Sequence, residues 1–214
     1  MADNYLGRKM EEYMARSATG NAQRRTAPRL DGLLRRNRSY RGYDARFTVR
    51  EDQLRRIIAV NELLPSARNR QALRFRPVLS DEAPALLPHL RFGGALPELG
   101  LPLPGTEPNA FIVVCTTVEE DREVDIDLGI SVQSMLLQAV EIGLNGLCIG
   151  AFDREAVRRA LHLQLEPLLV VAIGKGAERI ELRPIDADGE RTYYRRDGVH
   201  YVPKLRAEEL ILEK

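Results

Sequence analysis

The sequence predicts a mixed α/β or α+β domain in which helices flank a central sheet. Helical patterns come first along the chain, and buried strand patterns then alternate with helices. A chain of 214 residues is long enough for one sizeable domain. Hydrophobic residues make up 44% of it and charged residues 29%, which is ordinary for a soluble globular protein.

The first 30 residues are expected to form an arm and linker, and residues 31–214 the main domain. Apolar side chains follow helical spacing between residues 4 and 16: Tyr5, Leu6, Met10, Tyr13 and Met14. The polar stretch "SATGNAQRRTAPR" then breaks this pattern. The arm could pack on a partner subunit, or it could be a frayed terminus.

Two helices and a strand are predicted between residues 30 and 80. Residues 30–36 look helical. A second helix is expected to start at Thr48, which could form a capping box with Glu51, and to stop before Pro65. Its apolar positions follow helical spacing: Leu54, Ile57, Ile58 and Leu63. The alternating segment "LRFRPVLS" suits a strand.

The rest of the chain alternates between loops, strands and helices. Residues 81–109 are rich in proline and predict a loop with a short helix near "APALLPHL". "AFIVVCTT", "LCIGAF" and "PLLVVAIGKG" are expected to be strands. "IDLGISVQSMLLQAVEIGLNG" is the strongest helix, with Asn145 and Gly146 at its exit, and Asp153 should cap the next one. "LRAEELILEK" should close the chain as a helix or extension.

Charge and composition exclude several classes of protein. Lys plus Arg total 32 and Asp plus Glu 31, which argues against a surface devoted to nucleic acid. No run of about 18 apolar residues is present, so no membrane span is expected. The N-terminus lacks the apolar core of a secretory signal, so a cytoplasmic location is predicted.

The cysteines and histidines do not form a recognisable catalytic or metal motif. Cys115 and Cys148 have apolar neighbours, and both are predicted to be buried thiols. The three histidines lack the spacing of metal ligands: His89, His162 and His200. No catalytic side chain is expected, and an enzyme without acid–base residues can rely on a cofactor for its chemistry.

An arginine cluster, "RRNRSYRGYD" at residues 35–44, is the first candidate binding segment. Arg38, Ser39 and Arg41 place two guanidinium groups and a hydroxyl within four residues. Arginine suits phosphate because its planar fork donates two parallel hydrogen bonds. The cluster alone is compatible with an anion site, a solvated basic face or a nucleic-acid patch.

Three later segments are further candidates. "PSARNRQ" places small and amide side chains after a helix, where they could meet a planar polar ligand or form an ordinary loop. In "GLNGLCIGAFD" a strand ends at a helix N-terminus with free N–H groups. In "YVPKLRAEEL" Lys204 and Arg206 would point the same way in an extended segment, or lie in a solvated tail.

Taken in order, these four segments resemble the motifs of the nitroreductase family of FMN-dependent oxidoreductases. "RSYRGYD" is similar to the family's phosphate-binding Arg-Ser-x-Arg/Lys-x-aromatic motif, and "VPKLR" to its C-terminal Pro-Lys-x-Arg. "LLPSARNRQALRF" resembles Pro-Ser-Ser-x-Asn-x-Gln-Pro-Trp-x-Phe. "DLGISVQSMLLQAVEIGLNGLCIGAFD" resembles the family's central helix and the strand after it. The resemblance runs from about Leu33 to Arg206.

The resemblance implies an α+β fold, a three-layer α/β/α sandwich with a mostly antiparallel central sheet, in a homodimer with FMN at the subunit interface. Five residues would hold the FMN phosphate: Arg38, Ser39, Arg41, Lys204 and Arg206. Three would line the isoalloxazine from the partner subunit: Pro65, Ser66 and Asn69. Gln71 belongs to the same motif, and Gly150 matches the position whose N–H faces flavin N5.

The implied activity is that of an oxidoreductase that passes a hydride from NAD(P)H through flavin to a small-molecule acceptor, by a ping-pong scheme. A nitroaromatic or a quinone could be that acceptor, and neither nucleic acid nor a membrane is an expected partner. Two alternatives stay open. The chain could bind or sequester FMN without NAD(P)H turnover, or it could carry out the dehalogenating or flavin-fragmenting chemistry of other family members.

The sequence departs from the family pattern at several positions. Asn37 stands where the family often has arginine, a role that Arg36 could take. Ala67 replaces a common serine, and Ala72-Leu73 replace Pro-Trp. Only the short acidic segment "VEEDREV" separates the strand "FIVVCTT" from the central helix, where many relatives insert lid helices.

Overall fold

The computed structural model describes residues 29–94 and 99–212, so the predicted arm helix at residues 4–16 lies outside the described part. The α-helices of the described part are α1 Leu30–Arg36, α2 Glu51–Ile58, α3 Ala83–Leu86, α4 Arg122–Glu141 and α5 Arg154–Ala160. Its strands are β1 Leu73–Val78, β2 Ala110–Thr116, β3 Asn145–Ile149, β4 Glu166–Gly174, β5 Arg179–Ile185, β6 Tyr194–Arg196 and β7 Val199–Leu205. Short 3-10 turns are Ala59–Leu63, Ala67–Asn69, Leu87–His89 and Ala207–Leu210.

A four-stranded antiparallel sheet in the order β1-β2-β4-β3 forms the middle of the fold. All of β2 is buried, and its side chains alternate between the two faces of the sheet. Ile112 and Val114 pack with residues of α2 and α4, whereas Phe111 and Val113 pack with residues of α3 and α5. The predicted three-layer α+β architecture with a mostly antiparallel sheet is therefore confirmed.

A second, three-stranded sheet follows in the order β5-β7-β6, and the sequence patterns did not predict it. β5 and β7 run parallel, while β6 and β7 form an antiparallel hairpin. Asp197 and Gly198 make the hairpin turn with positive φ angles of 52° and 73°, a pairing typical of tight hairpin turns. This sheet positions the C-terminal segment of the candidate site.

Helix α2 starts later than the sequence predicts. Thr48 was expected to cap it, but the first helical residue is Glu51 and the Arg50 N–H donates to Gln53 Oε1 at 3.0 Å. Val49 explains the shift, because its side chain is only 2% exposed and the chain reaches the core before it turns into the helix. The predicted apolar position Leu63 is wrong, since that side chain is 86% exposed.

Helix α4 begins within the acidic segment "VEEDREV", which was predicted to connect the strand "FIVVCTT" to the central helix. Asp121 caps it, accepting the Val124 N–H at 2.8 Å. The chain leaves the helix at Gly143, with φ at +83°, and not at Asn145 and Gly146, which already belong to β3. Gly146 is needed there because a Cβ would lie 2.8 Å from the carbonyl oxygen of Ala172.

The predictions for Asp153 and Cys115 hold, and that for Cys148 is wrong. Asp153 caps α5 and accepts the Ala156 N–H at 2.9 Å. Cys115 is buried, but Cys148 is exposed because the alternation of β3 turns it away from the core that takes Leu147. Among the described residues, no helix combines the length and the apolar character that a membrane crossing needs.

Candidate functional site

A cavity of about 370 Å³, which we call the basic cavity, lies between the central sheet, α4 and the second sheet. Its volume is in the range of small-molecule sites, roughly 300–1,000 Å³. Four of the predicted phosphate ligands line it: Arg38, Ser39, Arg41 and Lys204. Residues from opposite ends of the chain therefore meet in one place.

The arginine cluster reaches this cavity because it runs beside β3. After α1 ends at Arg36, Ser39 forms a parallel bridge with Gly146, and the Tyr40 N–H donates to the Gly146 carbonyl at 3.2 Å. Ser39 and Arg41 are thus held at the edge of the central sheet. Arg36 lies outside the cavity and donates to the Gly32 carbonyl at 3.1 Å.

The two arginine side chains of the cavity donate to backbone carbonyl groups. Arg38 Nη2 donates to the Leu34 carbonyl at 2.7 Å, and Arg41 Nη1 donates to the Ser39 carbonyl at 3.1 Å. The Nε atoms of both arginines are buried with no hydrogen-bond partner among the described residues, and burial lowers the pKa of Arg38. Within residues 29–94 and 99–212, no carboxylate pairs with the side chain of Arg38, Arg41 or Lys204. Such uncompensated positive charge favours an anionic ligand.

Lys204 and Arg206 separate, although they were expected to point the same way. Lys204 belongs to β7 and lines the basic cavity. β7 ends at Leu205, so the strand alternation no longer applies to Arg206. Arg206 lies outside the cavity, is exposed, and its Nε donates to Asp186 Oδ1 at 2.8 Å.

Several lining residues were missed from the sequence. Asn37 and Gln133 face each other across the cavity wall, with Asn37 Nδ2 donating to Gln133 Oε1 at 3.3 Å. Tyr193 carries the Arg41 guanidinium 4.9 Å above its ring. His200 lines the cavity from β7, two positions before Val202 and four before Lys204. This period-2 alternation in "VHYVPKL" is a signal that could have identified His200.

A second cavity of about 270 Å³, which we call the loop cavity, is separate from the first. It brings together three residues of the second predicted motif, Pro65, Ser66 and Gln71, beneath α4. Asn69 does not line it, and Asn69 Oδ1 instead accepts Gln71 Nε2 at 3.1 Å. Gly150 lies outside both cavities, exposed just after β3.

The loop beside this cavity has an unusual backbone. Arg68, Asn69 and Gln71 all have positive φ angles, of 52°, 53° and 47°, which are uncommon for residues other than glycine. The Gln71 N–H donates to Ser66 Oγ at 3.1 Å, which closes the loop on itself. Non-glycine residues in such conformations cluster at binding and active sites.

Part of the sequence is similar to a known protein family. Residues 103–175 match the family model described as "Nitroreductase family". That match covers three of the four strands of the central sheet, β2, β3 and β4, together with the helices α4 and α5. No curated protein matches the sequence significantly.

Solved structures share the fold over most of the chain. A protein from Desulfovibrio desulfuricans in complex with FMN has a TM-score of 0.60 at 23% identity, over 85% of this chain and 94% of that one. The FMN- and NADPH-dependent nitroreductase NfnB from Sphigopyxis sp. strain HMH has a TM-score of 0.58 at 19% identity, over 69% and 88%. A nitroreductase family protein from Clostridium difficile 630 has 0.55 at 24%, over 68% and 83%. The family model bears out the resemblance to the nitroreductase family over residues 103–175, and the solved structures show that the chain has the same fold as these proteins.

Proposed function

We propose that this chain, with its nitroreductase fold, is an FMN-dependent oxidoreductase that uses NAD(P)H to reduce a small-molecule acceptor. The observation that carries the proposal is the basic cavity, in which the side chains of Arg38, Arg41 and Lys204 converge with no carboxylate partner in the described part of the chain. Neighbours of the same fold bind FMN, as the proteins from Desulfovibrio desulfuricans and Exiguobacterium sibiricum do.

The residues of the basic cavity fit the phosphate end of FMN. A phosphate monoester carries about −1.5 to −2 charges at neutral pH and offers three acceptor oxygens. Arg38 and Arg41 each keep a buried Nε that no described residue bonds, and Ser39 adds a hydroxyl at the same edge. Lys204 contributes a further cation from β7. These groups would bind the phosphate and fix the orientation of the rest of the cofactor.

The chain's own residues supply position and electrostatics. When bound, the flavin would supply the redox chemistry, accepting a hydride from NAD(P)H and passing it to the acceptor in a ping-pong scheme. Gly150 directly follows β3, whose Leu147 and Cys148 line the basic cavity. The Gly150 N–H could therefore donate to the isoalloxazine ring of an FMN whose phosphate lies in that cavity. We assign no side chain as a catalytic acid or base.

We further propose that the protein acts as a homodimer with FMN at the subunit interface. Pro65, Ser66 and Gln71 line a cavity separate from the basic cavity of the same chain, as expected if they serve the partner's cofactor. On α4, Ile126 is 52% exposed and Ile130 is 37% exposed, one turn apart on the same face. Large apolar side chains exposed together on one helix are typical of an interface.

Sedimentation analysis tests this dimer. The double variant Ile126→Glu/Ile130→Glu is expected to sediment as a monomer and to lose FMN. Arg159→Glu on the exposed side of α5 is a matched control, because it makes the same change in net charge away from α4. A dimer that persists in the double variant would place the interface elsewhere.

Cofactor binding and turnover test the oxidoreductase. The purified protein is expected to be yellow, or to become so with added FMN, and to be bleached anaerobically by NADH or NADPH. Addition of a quinone or a nitroaromatic should then reoxidise the bleached flavin and restore the yellow colour. A protein that FMN cannot reconstitute would overturn the proposal. A protein that binds FMN but leaves NAD(P)H unoxidised would instead be a flavin-sequestering protein.

A further inference from the structure

His200 is a buried polar side chain that lines the basic cavity and has no role in the proposed binding of FMN. It is 3% exposed, and neither ring nitrogen has a hydrogen-bond partner among the residues that the structure describes. The imidazole lies against the Tyr193 ring, with 5.1 Å between centroids and 52° between planes. Buried polar groups are normally paired, so an orphaned imidazole that lines a ligand cavity indicates a partner supplied by the ligand.

The position of His200 directs it to the charged end of that ligand. His200 and Lys204 lie on the same side of β7 and line the basic cavity together with Arg38 and Arg41. A ligand group that neutralises these cations would therefore lie in the cavity that the imidazole also lines.

We propose that His200 binds the phosphate group in the basic cavity and takes up a proton from solvent when that group binds. The inference rests on the proposed assignment of this cavity to FMN. It adds a ligand from β7 that the motif resemblance does not include, and it makes cofactor affinity depend on pH.

The charges around His200 set the direction of this linkage. Cations and neutral groups share the basic cavity with it: Arg38, Arg41, Cys148, Tyr193 and Lys204. On its other side, a third cavity holds Glu178, Arg179 and Arg195. Glu178 is already engaged, because it pairs with Arg195 and accepts the Arg41 N–H at 2.5 Å.

Without an anion, these surroundings favour the neutral imidazole. Burial, and then the positive charges of Arg195 and Arg41, lower the pKa of His200 below its ordinary value. A bound phosphate offsets much of this positive charge and places an anion beside the ring, which favours the imidazolium and so raises the pKa of His200. Binding should therefore strengthen as the pH falls, since the complex holds one more proton than the free protein.

The phosphate has a titration of its own, which the test must separate from that of His200. Its second ionisation has a pKa of about 6, so acid weakens its dianionic form and opposes the effect of His200. The variant His200→Gln keeps an N–H donor but does not titrate, and it leaves only the contribution of the phosphate. His89→Gln, outside the basic cavity, is a matched control.

The experiment combines binding with NMR of the imidazole groups. FMN and riboflavin, which lacks the phosphate, are titrated into the wild type and both variants between about pH 5 and pH 8. With only three histidines in the chain, their imidazole signals can be assigned by the same variants. We expect the His200 titration midpoint to rise with FMN and to stay unchanged with riboflavin. A rise of one pH unit corresponds to about tenfold tighter binding at the acidic limit.

Three outcomes decide the matter. The inference stands if FMN raises the titration midpoint of His200 and if the wild type and His89→Gln bind FMN more tightly at low pH while His200→Gln does not. If FMN binds but the midpoint stays fixed and His200→Gln follows the wild type, the inference fails while the proposed cofactor remains. If FMN does not bind at all, the proposed function fails and the inference fails with it.

Discussion

Asp127 on α4 holds the backbone of Ala67, the residue that enters the loop beside the loop cavity. Both carboxylate oxygens of Asp127 accept the Ala67 N–H, at 2.9 and 3.1 Å. The Asp127 side chain is 6% exposed. Arg68 and Asn69 follow directly with positive φ angles. A buried acceptor therefore fixes the entry to a segment whose backbone is otherwise unfavourable.

Replacing Asp127 with Asn should destabilise the protein and loosen this loop. The amide keeps one acceptor oxygen but puts a donor where the second carboxylate oxygen meets the Ala67 N–H. We expect a loss of about 1–3 kcal/mol in the free energy of unfolding, measured with urea. Asp125→Asn, at an exposed position on the same helix, is the control and should change stability little. Equal losses in the two variants would show that Asp127 acts only through its charge on α4.

Lys204 and Arg206 should contribute unequally to FMN affinity. Lys204 lines the basic cavity, whereas Arg206 is paired with Asp186 outside it. Lys204→Ala is expected to weaken FMN binding roughly tenfold to a hundredfold, because a charge-assisted contact contributes about 1.5–3 kcal/mol. Arg206→Ala should weaken it far less. Fluorescence quenching of FMN measures both affinities. Equal losses would show that Arg206 also binds the FMN phosphate, as the family resemblance implies.

Asp121 should stabilise the folded protein at neutral pH and lose this contribution over a defined acidic range. Hydrogen bonds from Arg70, and then from the Val124 N–H, lower the pKa of Asp121 from 3.8 to about 2. A group with a lowered pKa stabilises the fold above its unfolded pKa and loses that contribution as the pH falls through its folded pKa. The stability contributed by Asp121 is therefore complete above about pH 4 and lost towards pH 2.

The variant Asp121→Asn isolates this contribution, because asparagine can still cap α4. Its deficit in unfolding free energy relative to the wild type should be largest near pH 6 and should shrink between about pH 4 and pH 2. Asp188→Asn, at an exposed position in the loop after β5, is the control for the loss of one charge. A deficit that does not change with pH would mean that the contacts with Arg70 have no effect on stability.

The fold was largely predictable because the strands and the long helix of its central sheet have sequence patterns that can be recognised locally. β2 and β4 are short apolar runs rich in β-branched residues, and α4 has a long apolar face, so each could be recognised without its neighbours. The second sheet could not be recognised in this way. β5 is charged and mostly half-exposed, and it depends on parallel pairing with β7, which local periodicity does not encode.

The candidate site was predictable only where a motif fixed the residue types. Arg38 and Lys204 were proposed from such motifs, and they converge in the basic cavity. Tyr193 was missed because a tyrosine in a polar segment carries no motif, and the strand alternation that relates His200 to Lys204 has meaning only once β7 is recognised as a strand. Their places depend on the hairpin of β6 and β7, a tertiary feature.

Alkylation of Cys148 tests whether FMN occupies the basic cavity. Cys148 lines that cavity and is exposed, whereas Cys115 is buried in the central sheet. Desolvation raises the pKa of the Cys148 thiol to about 11, and desolvation together with Glu166 raises that of Cys115 to about 11. Because the thiolate is the reactive form, labelling of Cys148 by iodoacetamide should be slow and should accelerate about tenfold per pH unit between about pH 7 and pH 9.

Bound FMN should slow this labelling further by blocking access, while riboflavin at the same concentration should protect less, because it lacks the phosphate that the cations hold. Mass spectrometry of the intact protein follows the reaction, and Cys148→Ser shows which thiol is labelled. Cys115 serves as an internal reference, since its burial should keep it unlabelled in the folded protein. Unchanged labelling of Cys148 at saturating FMN would place the cofactor outside the basic cavity and would overturn the assignment of Arg38, Arg41 and Lys204 to its phosphate.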